Sequence, residues 1–262
     1  MEEDEEVGEW IKGIFRKEDL GFDWQRLREV IARYKEEPIE LIARKYEKTD
    51  LIGIGEIHSS QRGHRFVREL LSPLRDRARL EHISLELENK FQEHLDEYLR
   101  TGNEEHLRKI IEREAELVKR GYPVEGRVNG CYFDIIREAR RLGLKVFLVD
   151  DDYDKDDDNQ PFETVERRNR FMAEHLPREG QGVFYCGMLH QADIKNLLGN
   201  RMNILDLVDE ELGRDMTKAF FHGDSKPFGI DVKNERVWDV LSEHLYFELF
   251  YRHFDGIACI PK

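Results

Sequence analysis

Two peptides of the form Gly-x-x-His carry the residues best suited to chemistry in this chain: Gly55-Glu56-Ile57-His58 and Gly187-Met188-Leu189-His190. Imidazole titrates near neutrality and ligates metals, so it can move protons or hold a cation under physiological conditions. Each peptide follows an apolar run that reads as a buried strand, Leu51-Ile52-Gly53-Ile54 and Val183-Phe184-Tyr185-Cys186. Carboxylates close two further runs: Glu86 and Glu88 after the strand predicted at 82–87, and Asp150 after the one at 144–149. In an open α/β sheet the carboxyl ends of parallel strands share one crevice. Glu56, His58, Glu86 or Glu88, Asp150 and His190 are therefore expected to meet there. Alternation along a strand projects Glu56 and His58 the same way, and pairs Glu86 with Glu88 on one face.

Two imidazoles and two or three carboxylates can do one of two jobs. They can hold a divalent cation of the Mn, Fe, Co or Zn type, which accepts mixed nitrogen and oxygen ligands and keeps open positions for water. Without a metal, one histidine can act as general base on water while a carboxylate fixes its tautomer. Both options stay open on the residues alone. On the helix after His58, Arg62, Arg65 and Arg68 share a side, read either as an exposed charged face or as an anchor for a substrate carboxylate or oxyanion. His64 on that helix reads as a neighbour of the site or a surface residue.

The elements that position these groups alternate between helix and strand. Helices are predicted at 23–35, 38–46, 60–71, 91–99, 104–120, 131–142, 163–176 and 236–250, with Pro73 breaking or kinking the third. Strands are predicted at 51–55, 82–87, 144–149, 181–186, 202–208, 217–221 and 256–260. Gly143 is placed to end one helix directly before a strand. The pattern implies an α/β fold: a doubly wound, mostly parallel central sheet flanked by helices. The helices after the second strand exceed what one crossover needs and read as a cap insertion at 88–130. Residues 1–20 read as an acidic leader with a short amphipathic piece at Trp10, Ile11, Ile14 and Phe15, and 21–262 as a single domain.

Composition bounds the function. With 262 residues the chain can bury a full core, and its net charge of −14, from 42 basic and 56 acidic residues, argues against nucleic acid or an anionic membrane as partner. No run of 18 apolar residues occurs, so no membrane span is expected. Cys131, Cys186 and Cys259 sit in apolar settings without Cys-x-x-Cys spacing, which together with the acidic start points to reduced thiols in the cytoplasm. The loop from Asp152 to Glu163 matches a calcium-binding loop at positions one, three, five and twelve, but Asp157 stands where that loop needs glycine. It reads more simply as a solvated acidic loop hanging over the cleft, where it would repel anionic substrates. Phe247, Phe250 and Tyr251 form an aromatic stripe expected in the core. No Gly-x-Ser-x-Gly elbow, P-loop or dinucleotide fingerprint is present, which disfavours serine hydrolases, NTPases and NAD enzymes.

These residues resemble the erythromycin esterase/ChaN/TIKI–TraB superfamily. Leu51-Ile52-Gly53-Ile54-Gly55-Glu56-Ile57-His58 is similar to its opening motif, and Ile83-Ser84-Leu85-Glu86 with Gln92, Leu95 and Tyr98 resembles the ChaN-like branch. Gly143-Leu144-Lys145-Val146 ending at Asp150, Arg167-Arg168-Asn169 with Met172, Gly187-Met188-Leu189-His190 and Phe254-Asp255-Gly256-Ile257 continue the likeness to about residue 260. The resemblance implies an α/β fold with a cleft lined by Glu56, His58, Glu86 and His190. It also implies one of several activities: opening of macrolide lactones, metal-dependent proteolysis, or association with haem. The leading expectation is a hydrolase that activates water, with or without metal, on an ester, lactone or amide of a small molecule or peptide. In it His58 is base or metal ligand and Glu56 orients it or shares the metal. Glu86 is a ligand or proton shuttle, and His190 an electrophilic stabiliser or second nitrogen ligand. Asp150, Arg168, Glu88, Arg62 and His64 support them. The alternative is a haem- or metal-binding protein without catalysis; haem propionates would then need the arginines that follow His58.

Overall fold

The computed structural model describes residues 22–56, 58–156, 161–210, 220–221, 224–244, 248 and 251–261. The leader expected at 1–20 and Phe247 and Phe250 of the aromatic stripe lie outside them. Two helices come first, α1 (Trp24–Tyr34) and α2 (Pro38–Tyr46). Asp23 caps α1 by accepting from the Arg26 amide, and Pro38 opens α2, where its missing N–H costs nothing. Strand β1 (Leu51–Glu56) leads to α3 (Gln61–Ala78), which Ser60 caps through the Gly63 amide at 2.8 Å. Contrary to expectation, α3 runs through Pro73 and stops at Arg79, a left-handed residue (φ 56°). Leu70, Leu71, Leu74 and Ala78 bury one continuous stripe across the proline, and that packing outweighs its local penalty.

After β2 (His82–Glu88) the chain forms α4 (Gln92–Thr101), α5 (Glu104–Lys119), the single turn α6 (Glu125–Val128) and α7 (Tyr132–Leu142) before β3 (Lys145–Asp150). Gly143 ends α7 in the left-handed conformation (φ 72°), as its position before a strand requires. Next come α8 (Pro161–His175), β4 (Gly182–Gly187), α9 (Met188–Leu198) and β5 (Met202–Asp209). The chain closes with β6 (Phe228–Ile230), α10 (Glu235–Leu241) and β7 (Gly256–Ile260).

Seven strands form one sheet in the order β3-β2-β4-β1-β5-β7-β6, parallel except for the edge strand β6. This is the mostly parallel α/β sheet read from the sequence. The strand expected at 217–221 is not the sixth; residues 217–219 lie outside the described set, and Phe220 and Phe221 are buried but not in a strand. The last predicted helix is observed over Glu235–Leu241, and part of its expected remainder lies outside the described residues. Tyr251, the described member of the aromatic stripe, is fully buried and bonds Asp206.

Alternation along the strands builds two cores, one on each face. Ile52, Ile54, Val183 and Tyr185 join Val67, Leu71 and Ile136 from α3 and α7. Leu51, Phe184, Cys186 and Ile204 join Met172 and Ile194 from α8 and α9. Residues with side chains on both faces and no water between explain why these strands read as unbroken apolar runs. The chain visits β2 and β3 on one side of β1, returns to insert β4 between β1 and β2, and then crosses to β5. That reversal leaves the crevice at the carboxyl ends of β1, β4 and β2. Among the described residues no helix is long and apolar enough to cross a membrane.

The segment between β2 and β3 is tied to the crevice by close backbone contact. A Cβ on Gly126 would stand 1.8 Å from the His58 carbonyl oxygen, so only glycine lets α6 approach the loop after β1. Gln61 clamps the contact, donating to the Gly126 carbonyl at 2.7 Å and accepting from the Cys131 amide at 2.9 Å. Gly126→Ala should lower stability by about 1–3 kcal/mol, the usual cost of forcing an extra carbon into a packed interior. Denaturant unfolding reads this directly, and an unshifted midpoint would contradict the contact.

Candidate active site

Glu56 is the last residue of β1 and lies in register with Gly187 of β4. His58, two residues on and already in the turn, sets its Nδ1 2.5 Å from Glu56 Oε1. Arg127 Nη2 also comes within 3.1 Å of Nδ1, but the shorter contact is with the carboxylate, which only accepts, so in the neutral ring it favours a proton on Nδ1 and a lone pair on Nε2. Gly187 leaves room for that ring: a Cβ there would stand 3.2 Å from both His58 Nε2 and Glu86 Oε2. His64 lies beneath, fully buried, donating from Nε2 to the His58 carbonyl at 3.2 Å and accepting at Nδ1 from Tyr185 at 2.8 Å. Burial lowers its pKa, against the pull of Glu56, and His64 is a neutral support of the histidine loop.

Glu86 comes in from β2. Its Oε2 accepts from the Gly187 amide at 2.6 Å and its Oε1 from Arg168 at 3.1 Å. Arg168 also grips Asp150 at 2.5 and 3.1 Å, donates to the Tyr153 hydroxyl at 2.7 Å and lies 4.2 Å over that ring. His190 is not on a strand extension as expected. Gly187 ends β4 and the chain turns at once into α9, putting His190 in the first helical turn. Its Nε2 still comes within 3.5 Å of Glu86 Oε1, while Nδ1 is 2.5 Å from Asn169 Oδ1 of α8. Burial lowers the His190 pKa; Glu86 opposes this and Arg168 adds to it.

The group that joins these parts is Arg127 of α6, which the sequence reading passed over. It is fully buried. Nη2 donates to Glu56 Oε1 at 2.7 Å and lies 2.9 Å from Glu86 Oε2, Nε reaches Glu56 Oε1 at 3.1 Å, and Nη1 bonds the Glu86 carbonyl at 2.8 Å. Burial pushes the Glu56 carboxyl up, but Arg127 and His58 outweigh it and hold the group at about 2. Glu86 is likewise held well below the usual carboxylate range: Arg127, His190, His58 and Arg168 together overcome its burial. Glu114 of α5, also buried and 3.7 Å from Arg127 Nη1, is instead pushed up to about 7 by burial, with Glu88, Glu86 and Asp150 adding to it. The signal for Arg127 was indirect. Several buried carboxylates demand buried cations, and Arg127 sits between glycines in a short stretch with no helical periodicity of its own.

The remaining expected residues separate into other roles. A register irregularity between Leu85 and Glu88 parts the two glutamates expected together. Glu88 turns to Arg113, which binds it with two bonds of 2.6 and 3.0 Å, and to the Tyr153 amide. Arg62 bonds the Pro261 carbonyl and faces Asp209 at 3.9 Å. Arg65 is exposed, and Arg68 lies by Glu69 and Asp134. In the acidic loop, the carboxylates at positions one, three and five of the calcium pattern rest on cations: Asp152 on Lys90, Asp154 on Arg113 and Arg120, Asp156 on Arg167. Glu163 is exposed, and 157–160 lie outside the described residues. The loop's ionic pairing blunts the repulsion expected of it.

No family model matches the chain, and no curated protein matches it. Solved structures do. A crystal structure of a Bacillus cereus protein aligns with TM-score 0.65 at 10% identity, over 92% of this chain and 98% of that one. A succinoglycan biosynthesis protein aligns with TM-score 0.53 at 10% identity, over 91% and 96%. Both share the fold. ChaN of Campylobacter jejuni, in a structure with cofacial haem, aligns with TM-score 0.42 at 13% identity over 84% and 90%.

Arg127 makes the acid limb of stability predictable. A carboxyl whose pKa falls on folding stabilises the fold once ionised, so Glu56 contributes above about pH 4.5 and loses that contribution as pH falls toward about 2. Arg127→Met leaves two buried carboxylates without their shared cation and should cost about 3–5 kcal/mol at neutral pH. Acidification should then restore stability by neutralising them, reversing the wild-type trend. Unfolding followed across pH checks both; an unchanged acid limb in the variant would contradict the pairing.

Proposed function

We propose that this protein is a hydrolase that activates water without a metal, His58 serving as the general base on Glu56. The observation that carries the reading is the 2.5 Å bond between His58 Nδ1 and Glu56 Oε1, which in the neutral ring turns the Nε2 lone pair toward Gly187 and Glu86. A base oriented through its far nitrogen by an ionised, buried carboxylate is the arrangement that general-base hydrolysis needs. His58 Nε2 takes a proton from water as the oxygen attacks an acyl carbon. The Glu56 carboxylate stabilises the imidazolium, and the proton then passes to the departing oxygen or nitrogen. Substrates are esters, lactones or amides of small molecules or peptides. Membership of the erythromycin esterase/ChaN/TIKI–TraB superfamily is part of this reading, supported by the motif residues around Glu56, Glu86 and His190 and by an α/β fold of the expected kind.

Glu56, His58 and Glu86 can bring ligating atoms within 4.8 Å of one another, which is the case for a divalent ion. Against it, Arg127 already donates to Glu56 and contacts Glu86, and Arg168 and the Gly187 amide each occupy one further Glu86 lone pair, although Glu56 Oε2 is buried without a hydrogen-bond partner. A second cation among these carboxylates would sit against a buried guanidinium in a low dielectric. We therefore take Arg127, not a divalent ion, as the cation that these carboxylates hold. The cytoplasm is the proposed compartment, supported by three free thiols of which Cys186 and Cys259 are buried. With a net charge of −14, nucleic acid and anionic membrane are not proposed as partners. Haem binding is the second reading: both histidines are anchored at Nδ1, so their Nε2 atoms would be the ones to hold the haem iron.

The test is a panel of activated esters, lactones and peptides assayed with and without chelator, for wild type and His58→Ala. Hydrolysis that survives chelation and falls by about 10²-fold or more in His58→Ala is expected. Turnover undiminished in the variant would overturn the assignment, as would activity lost to chelator and regained with Mn²⁺ or Zn²⁺. A Soret band on haem titration with no hydrolysis would favour the second reading.

A further inference from the structure

His190 is anchored differently from His58, and the difference has a traceable source. Its Nδ1 meets not a carboxylate but the side-chain amide of Asn169, at 2.5 Å. An amide can face an imidazole with either its oxygen or its NH₂, so the contact alone leaves the tautomer open. Asp193 closes the choice. Asn169 Nδ2 donates to Asp193 Oδ2 at 3.0 Å, and a carboxylate accepts only, so the NH₂ is committed to it. The amide oxygen is then turned to His190, and only a proton on Nδ1 makes that contact attractive. His190 and Asp193 are three residues apart on α9 and so share a helix side, while Asn169 reaches across from α8, buried between them.

We propose that Asp193, acting through Asn169, sets the tautomer of His190 so that Nε2, the nitrogen near Glu86, carries the lone pair. The inference rests on the reading of this cleft as a reaction site only for its consequence, not for its geometry. With Nδ1 protonated, neutral His190 can only accept at Nε2, and a bond from Nε2 to the Glu86 carboxylate 3.5 Å away forms only in the imidazolium. The electrophilic role expected of His190 then requires the imidazolium, since the neutral ring has no proton at Nε2 to donate. Neither Asn169 nor Asp193 is placed to touch substrate; both are positioning residues. The two imidazoles are divided in labour by their anchors. A charged carboxylate stands behind His58, with Arg127 beside it, and a neutral amide stands behind His190.

Long-range ¹H–¹⁵N correlation spectra of ¹⁵N-labelled protein at about pH 8, where neutral imidazole dominates, read the tautomer without any assay of function. The His190 signals are assigned by their loss in His190→Gln. Wild type should show His190 protonated at Nδ1, the less common form of free histidine. Asp193→Ala, an exposed change that spares the core, should let the Asn169 amide turn and convert His190 to a mixture of tautomers. A wild-type His190 protonated at Nε2 would overturn the proposal, and so would a pure Nδ1 form in Asp193→Ala. If the tautomer responds as stated but no hydrolysis is found, the relay stands and the hydrolase reading alone fails.

Discussion

A buried guanidinium shared by two buried carboxylates holds this structure's working end together. Glu56 and Glu86 close neighbouring parts of the sheet with almost no access to water, and each would strongly resist ionising alone. Arg127 reverses that. By bonding Glu56 and contacting Glu86 within 3 Å it keeps both charged, and Arg168 repeats the device between Glu86 and Asp150. Three site carboxylates thus stand against two fixed cations before any substrate arrives. The histidines are added to this frame as its titratable members.

The frame gives the helices between β2 and β3 a physical purpose. One helix would suffice to return the chain to β3, yet α4 to α7 occupy the interval. The extra length delivers Arg127 to the strand ends and holds it there. Gly126 lets the backbone of α6 press on the His58 carbonyl, Gln61 locks the approach, and Arg113 of α5 fastens the same segment to Glu88. The placement of His58 therefore depends on a segment about 70 residues away in sequence that packs on its backbone and reaches its ring.

Much of this was legible in the residues. Apolar runs buried on both faces marked β1, β2, β3, β4, β5 and β7, and polar residues directly after them marked the crevice. Gly143 announced its helix end and Pro38 its helix start. What escaped has local reasons. Arg127 lies on a single turn too short for periodicity. The helix after Gly187 lacks a side-chain cap, exposes Leu189 and Leu197 and buries Gln191, so no amphipathic stripe declared it. Pro73 was read by its local cost, whereas the buried leucines around it decided the matter. Glu88 was paired with Glu86 by simple alternation, which a register irregularity interrupts. In each case a tertiary contact overrode a local rule.

Arg127 stands as the resident cation of the Glu56, His58 and Glu86 cluster, in competition with any divalent ion for the same carboxylates. Calorimetric titration of the purified wild-type protein with Mn²⁺ and with Zn²⁺, beside Glu86→Gln as control, tests it most directly. If Arg127 fills that role, no stoichiometric binding that the Glu86→Gln change removes is expected. One equivalent bound by wild type and lost in Glu86→Gln would contradict it and return the site to metal chemistry.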